Sequence, residues 1–118
     1  MTAQLSLIDE QGRARQARDE GMSRALAHAE ADTPSWGEIA YGYLCRYAET
    51  HERFVGWFVH HEAEKTRAVP IASGKAWGSV LCRAARNGII LKDGYMPDPN
   101  RKMNPAPVWR SLVFHEAA

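Results

Sequence analysis

Apolar residues recur at helical spacing in four stretches of this chain, and only near its C-terminal end does the pattern change to alternation. From Asp9 to Ala31 the residues Ala17, Met22, Leu26 and Ala29 fall at roughly helical intervals among Arg and Glu, which predicts a helix with a thin apolar face. "ADTPS" stops it and starts another, with Pro34 in a first turn and Asp32 or Thr33 as the cap. Trp36, Ile39, Ala40, Tyr43, Leu44 and Tyr47 then form a strong helix face. After Thr50 the spacing of Phe54, Trp57, Phe58 and His61 or Ala63 predicts a further helix, broken by Pro70 and Gly74.

The next helix is the clearest. Ser73 is a natural N-cap, Trp77, Val80, Leu81 and Ala84 make an i, i+3, i+4, i+7 stripe, and Gly88 supplies the left-handed residue that ends it. "IILKDGYM" follows as a β-branched strand. "PDPNRKMNPAP", with four prolines and two asparagines, reads as a loop, and "VWRSLVF" as the partner strand. The fold class expected is mainly α with a C-terminal β-hairpin (α+β), a winged helix-turn-helix with an extra N-terminal helix. Residues 1–33 form a helical arm and 34–118 the winged-helix domain, its wing at 95–107.

Composition narrows the classes. With 118 residues, 45% of them apolar, one small core is expected. No apolar run is long enough for a membrane span, and the first residues lack the form of a secretory signal. Cys45 and Cys82 stand far apart, each inside an expected helix, and read as buried thiols of a cytoplasmic protein. The net charge is only +1, but it is unevenly spread. Residues 1–33 carry four basic and six acidic side chains, and 34–69 carry four and five. Residues 70–118 carry seven (Lys75, Arg83, Arg86, Lys92, Arg101, Lys102, Arg110) against three. That asymmetry is expected of a phosphate-facing surface.

The segments "KAWGSVLCRAARNGIILKDGY" and "APVWRS" resemble small winged-helix proteins encoded in early or replication-associated regions of temperate phages and prophages. The resemblance covers roughly residues 34–114 and is best over 75–110. It implies a DNA-binding, regulatory or replication-associated role and brings no catalytic residues. The chain departs from the pattern in its modest basic charge and in Cys82, where an arginine is often found.

The residues themselves offer a matching interface. Lys75, Ser79, Cys82, Arg83 and Arg86 lie together opposite the apolar stripe. On a recognition helix an arginine forks onto a guanine edge while a lysine reaches phosphate. Arg101 and Lys102 sit at the wing tip, suited to a phosphate backbone or minor groove. The contacts expected with double-stranded DNA are therefore Lys75, Ser79, Arg83, Arg86, Arg101 and Lys102. Against this stands the ordinary need of any surface helix for a solvated face.

Other chemistries have no support. "HHEAEK" fails the H-E-x-x-H pattern because Lys65 stands four residues after His61, and adjacent histidines point to different sides of a helix. No Gly-rich phosphate loop, nucleophile elbow or acid pair is present, so neither an enzyme, a metal site nor a cofactor is expected. The many aromatic residues keep a second class open: a module binding a host replication, transcription or defence protein. Tyr41, Trp109 or Phe114 would then supply an exposed aromatic surface. The N-terminal helix is the surface for a homodimer, if one forms.

Overall fold

The computed structural model describes residues 2–98 and 102–116, the first eight of them as backbone alone. Four helices and three strands follow in the order α1 (Thr2–Asp32), α2 (Trp36–Thr50), β1 (Arg53–Val55), α3 (Gly56–Lys65), α4 (Gly74–Arg86), β2 (Ile90–Asp98) and β3 (Asn104–Ser111). The α+β class expected from the pattern is present. The three strands form one antiparallel sheet in the order β1-β3-β2.

The third strand, β1, takes the place of what the spacing predicts as helix. Phe54 and Val55 are β-branched or aromatic and pair with Trp109 and Val108 of β3. The helix starts only at Gly56, where the backbone runs close to α4: a Cβ there would lie 2.6 Å from Leu81 Cδ1, so that side chain would have to shift. Once the helix is shortened its inner residues change. Val59 and Ala63 are fully buried, whereas Phe58, expected on the inner face, is 44% exposed.

The junction of α1 and α2 also differs from expectation. Neither Asp32 nor Thr33 caps α2. Ser35 takes the N-cap place in a left-handed conformation (φ 64°) with no side-chain bond. The orphan amide of Gly37 instead donates to Glu30 Oε2 of α1 at 3.3 Å, so the preceding helix caps the following one. The helix expected over 9–31 is longer, and its inner end belongs to the domain. Ala29 is buried in the common core, and Ala25 and Leu26 pack against it.

That core is centred on two tryptophans. Trp36 and Trp77 meet edge to face with ring centres 5.5 Å apart, both out of reach of water. Trp36 Nε1 donates to the Pro70 carbonyl at 2.9 Å, which pins the α3–α4 connection against α2. On the same connection, Ala72 N donates to Glu64 Oε2 at 3.0 Å, and that oxygen also meets His60 Nε2 at 3.0 Å. His60 stacks on Trp77, and His61 stacks on Trp57, so the two adjacent histidines serve different neighbours.

The α4 segment is as its sequence predicts at both ends. Ser73 Oγ accepts from Ala76 N at 3.2 Å, and Gly88 has φ 76°. The hairpin is longer than the alternation suggests. β2 runs to Asp98 and β3 begins at Asn104, so Pro97, Pro105 and Pro107 lie within strands and the loop expected over 97–107 is shorter than its prolines suggest. The prolines are tolerated because a ladder asks for an N–H only at alternate residues of a strand with a single neighbour on that side. Ser111 closes the sheet onto α2: its hydroxyl donates to the Ala48 carbonyl at 2.6 Å, and its N donates to Glu52 O at 2.8 Å.

Candidate nucleic-acid interface

The polar face of α4 is present, but it is not one open surface. Among its residues only Gly74, Lys75 and Arg86 are exposed, while Gly78, Ser79, Cys82 and Arg83 are half-buried. Two neighbours cover it from different sides.

The first is α2. The Arg83 guanidinium forks onto Glu38, with Nη1 2.9 Å from Oε1 and Nη2 3.5 Å from Oε2, and its Cζ stands 4.0 Å from the centre of the Tyr41 ring. Hydrogen bonding to Glu38 holds its pKa above the ordinary arginine value. Asn87 Nδ2 donates to Tyr41 Oη at 2.9 Å just beyond the helix end. With its Nη1–Nη2 edge on the carboxylate and its plane over Tyr41, the guanidinium is engaged within the fold, and only its Nε edge is left to donate elsewhere. Arg83, expected to read bases, is in this conformation a clamp between helices.

The second neighbour is α1, which packs on α4 more extensively than α2 or α3 does. Gly78 permits the contact, since a Cβ there would lie 3.1 Å from Met22 Sδ. The junction leaves a cleft lined by Arg24, His28 and Asp32 of α1 and by Ile71, Ser73 and Lys75 beside the start of α4.

At the hairpin tip, Lys102 and Met103 both take left-handed backbone (φ 54° and 66°) in a tight reversal, closed by Met103 N donating to Asp98 O at 2.8 Å. Lys102 is exposed. Arg101 lies outside the described residues. Lys92, which the spacing argument did not select, is exposed on β2 with its Nζ 5.7 Å from the Tyr95 ring centre and 5.9 Å from that of Trp109. Arg53 and Arg110 face each other in register across β1 and β3, and Arg53 reaches over to Asp93 at 3.4 Å. No periodicity marks these cations, because only strand pairing brings them together.

A second concave feature lies between α2 and α3, a cleft of about 530 Å³. Tyr43, Tyr47, His51, Phe58 and His61 supply rings, with Arg46 and Glu62 as opposite charges on its wall. The His51 and Tyr47 rings stack at 3.7 Å and 2°, held by His51 Nδ1 lying 3.0 Å from the Tyr47 carbonyl oxygen. Burial, then the charge of Glu62, raises the Tyr43 pKa; burial, then Tyr43 and Glu62, raises that of Tyr47. Both phenols are therefore neutral hydrogen-bonding groups at neutral pH. Of the aromatics expected at a surface, Trp109 is buried and Tyr41 and Phe114 are half-buried; exposed instead are Phe58, His51 and His61 in this cleft and Tyr95 on β2.

Among the described residues no group of three or more His, Cys, Asp or Glu side chains is placed to hold a metal ion, and no helix is long and apolar enough to cross a membrane. The chain matches no family model, no curated protein and no solved structure.

Proposed function

We propose that the chain is a winged-helix protein that binds double-stranded DNA without catalysis, in a regulatory or replication-associated role of the kind its resemblance to phage and prophage proteins implies. The observation that carries this reading is the connectivity from Trp36 onward. Helix, strand, helix, helix, strand, strand, closed in the sheet order β1-β3-β2, is the winged-helix plan, in which α4 is the recognition helix and the β2–β3 hairpin the wing. Charge agrees with it, because the basic excess of the chain lies in this last part.

The geometry redistributes the contacts. Lys75 and Arg86, exposed at the two ends of α4, and Lys102 at the hairpin tip are the cations free to meet phosphates. Arg83 holds α4 to α2 and contributes through that position. The test is an anisotropy titration with duplex DNA at several salt concentrations. Lys75→Ala/Arg86→Ala weakens binding on all sequences and lowers the slope of log K against log salt by about 0.9 per cation removed. Arg83→Ala leaves the salt slope as in the wild type. A wild type that fails to bind any duplex at low salt refutes the reading, and so does an unchanged slope in the double variant.

A protein partner is the second reading, favoured by the α2–α3 cleft. Exposed Phe58 beside side chains of opposite charge is the composition of a small interaction hot spot. Phe58→Ala removes the anchor while leaving the core intact. Loss of a host partner in that variant, with duplex binding retained, would identify this face as the working one.

A further inference from the structure

We propose that α1 is a built-in competitor of the duplex: docked as it is, it occupies the flank of α4 that would enter the groove, and DNA binding requires it to swing away. This rests on the DNA-binding reading and adds its regulation.

Three observations lead here. The flank of α4 that bears Lys75 and Gly78 is where α1 lies, with Met22 Sδ only 3.1 Å from where a Cβ at Gly78 would stand. A major groove is about 12 Å wide and a helix with its side chains about 10–12 Å across, so the groove admits α4 alone and not two helices side by side. Of the helices packed on α4, α1 makes the most extensive contact.

The docking is broad but shallow, which is what a releasable element needs. Of the inner face of α1, Met22, Ala25 and Leu26 are only half-buried, and Ala29 alone among the described residues of the helix is buried. A second glycine, Gly37, receives Leu26 Cδ1 at 3.3 Å from its would-be Cβ, and one hydrogen bond, Gly37 N to Glu30, fixes the end. Charge points the same way. The first part of the chain is acidic in sum and the last part basic, and the cleft between them sets Asp32, with Arg24 and His28, across from Lys75. If the competent state is the undocked one, apparent affinity for duplex is scaled down by the fraction of molecules undocked.

The experiment uses the full chain. Met22→Cys/Gly78→Cys, in a Cys45→Ser/Cys82→Ser background, allows α1 to be locked. The sulfur introduced at position 22 takes roughly the place of Met22 Cγ, 3.7 Å from the position-78 Cβ, so a shift of α1 by less than ~1 Å brings it to the roughly 3 Å that separates a sulfur from the far Cβ of a disulfide. Duplex affinity is compared in the oxidised and reduced protein. In parallel, Met22→Asp loosens the docking, and amide hydrogen exchange of residues 22–30 reports α1 leaving, independently of DNA. Expected are binding at least about tenfold weaker in the oxidised lock, and in Met22→Asp faster exchange of residues 22–30 together with about tenfold tighter binding. Equal binding by oxidised and reduced protein overturns the proposal. Faster exchange without tighter binding does so too; in both cases duplex binding persists and the winged-helix reading stands. If reduced, oxidised and loosened proteins all ignore duplex at low salt, the DNA-binding reading itself falls and this inference with it.

Discussion

Trp36→Ala removes about 3–5 kcal/mol of folding stability, a large share of the total a domain of this size possesses. The side chain is fully buried, packs edge to face on Trp77, and holds the Pro70 carbonyl through its ring nitrogen. Its loss opens a cavity where α2, α4 and the α3–α4 connection meet. A urea titration followed by circular dichroism measures the effect. The two tryptophans also separate the parts of that sum. Trp77 Nε1 is buried with no hydrogen-bond partner among the described residues. Trp77→Phe therefore sacrifices only volume, whereas Trp36→Phe forfeits a hydrogen bond as well, an additional cost of about 0.5–1.5 kcal/mol. Equal losses in the two phenylalanine variants would refute that distinction.

Phe54→Ala is the second large effect, again about 3–5 kcal/mol, set against Phe58→Ala at about 1 kcal/mol or less. Phe54 is 4% exposed, lies edge-on to Tyr47 at 5.2 Å, and stands opposite Trp109 in the sheet. Phe58 faces the α2–α3 cleft and solvent. A helix running continuously through both residues would bury them on one stripe and penalise both truncations alike. The contrast thus tests the strand–helix division directly, by thermal or urea unfolding of the two variants.

That division marks the limit of what could be read along the chain. The α4 segment was legible because each of its signals is local: Ser73, the four-residue stripe and Gly88 lie within sixteen residues of one another. "RFVGWF" is ambiguous locally, since Phe54, Trp57 and Phe58 satisfy helical spacing and "RFV" equally suits a strand. What decides is pairing with Val108 and Trp109, a contact made only after the hairpin folds back. The wing shows the same lesson in reverse. Its prolines announce a loop, yet most of them sit in strands because each ladder leaves alternate amides unused. For the candidate interface, helical spacing grouped Lys75, Ser79, Arg83 and Arg86 correctly on one side of α4. It could not report that Glu38, 45 residues before Arg83, claims that guanidinium. Nor could it report that a long helix of weak amphipathicity would lie along the same side, because the matching surfaces are two glycines, which carry no apolar signal.

The uneven anchoring of α1 gives one helix two stabilities. Residues 10–20 are exposed throughout, so nothing but their own backbone bonds and local side-chain pairs, such as Gln16 to Glu20, holds them helical. Isolated stretches of that length are marginal in water and exchange between helix and coil within about a microsecond. Residues 22–30, packed on α2 and α4, open only when the docking or the whole domain does. A trypsin-like protease therefore meets Arg13, Arg15 and Arg18 as substrates on a fluctuating strand of polypeptide, and the folded domain survives the cut with a shortened first helix.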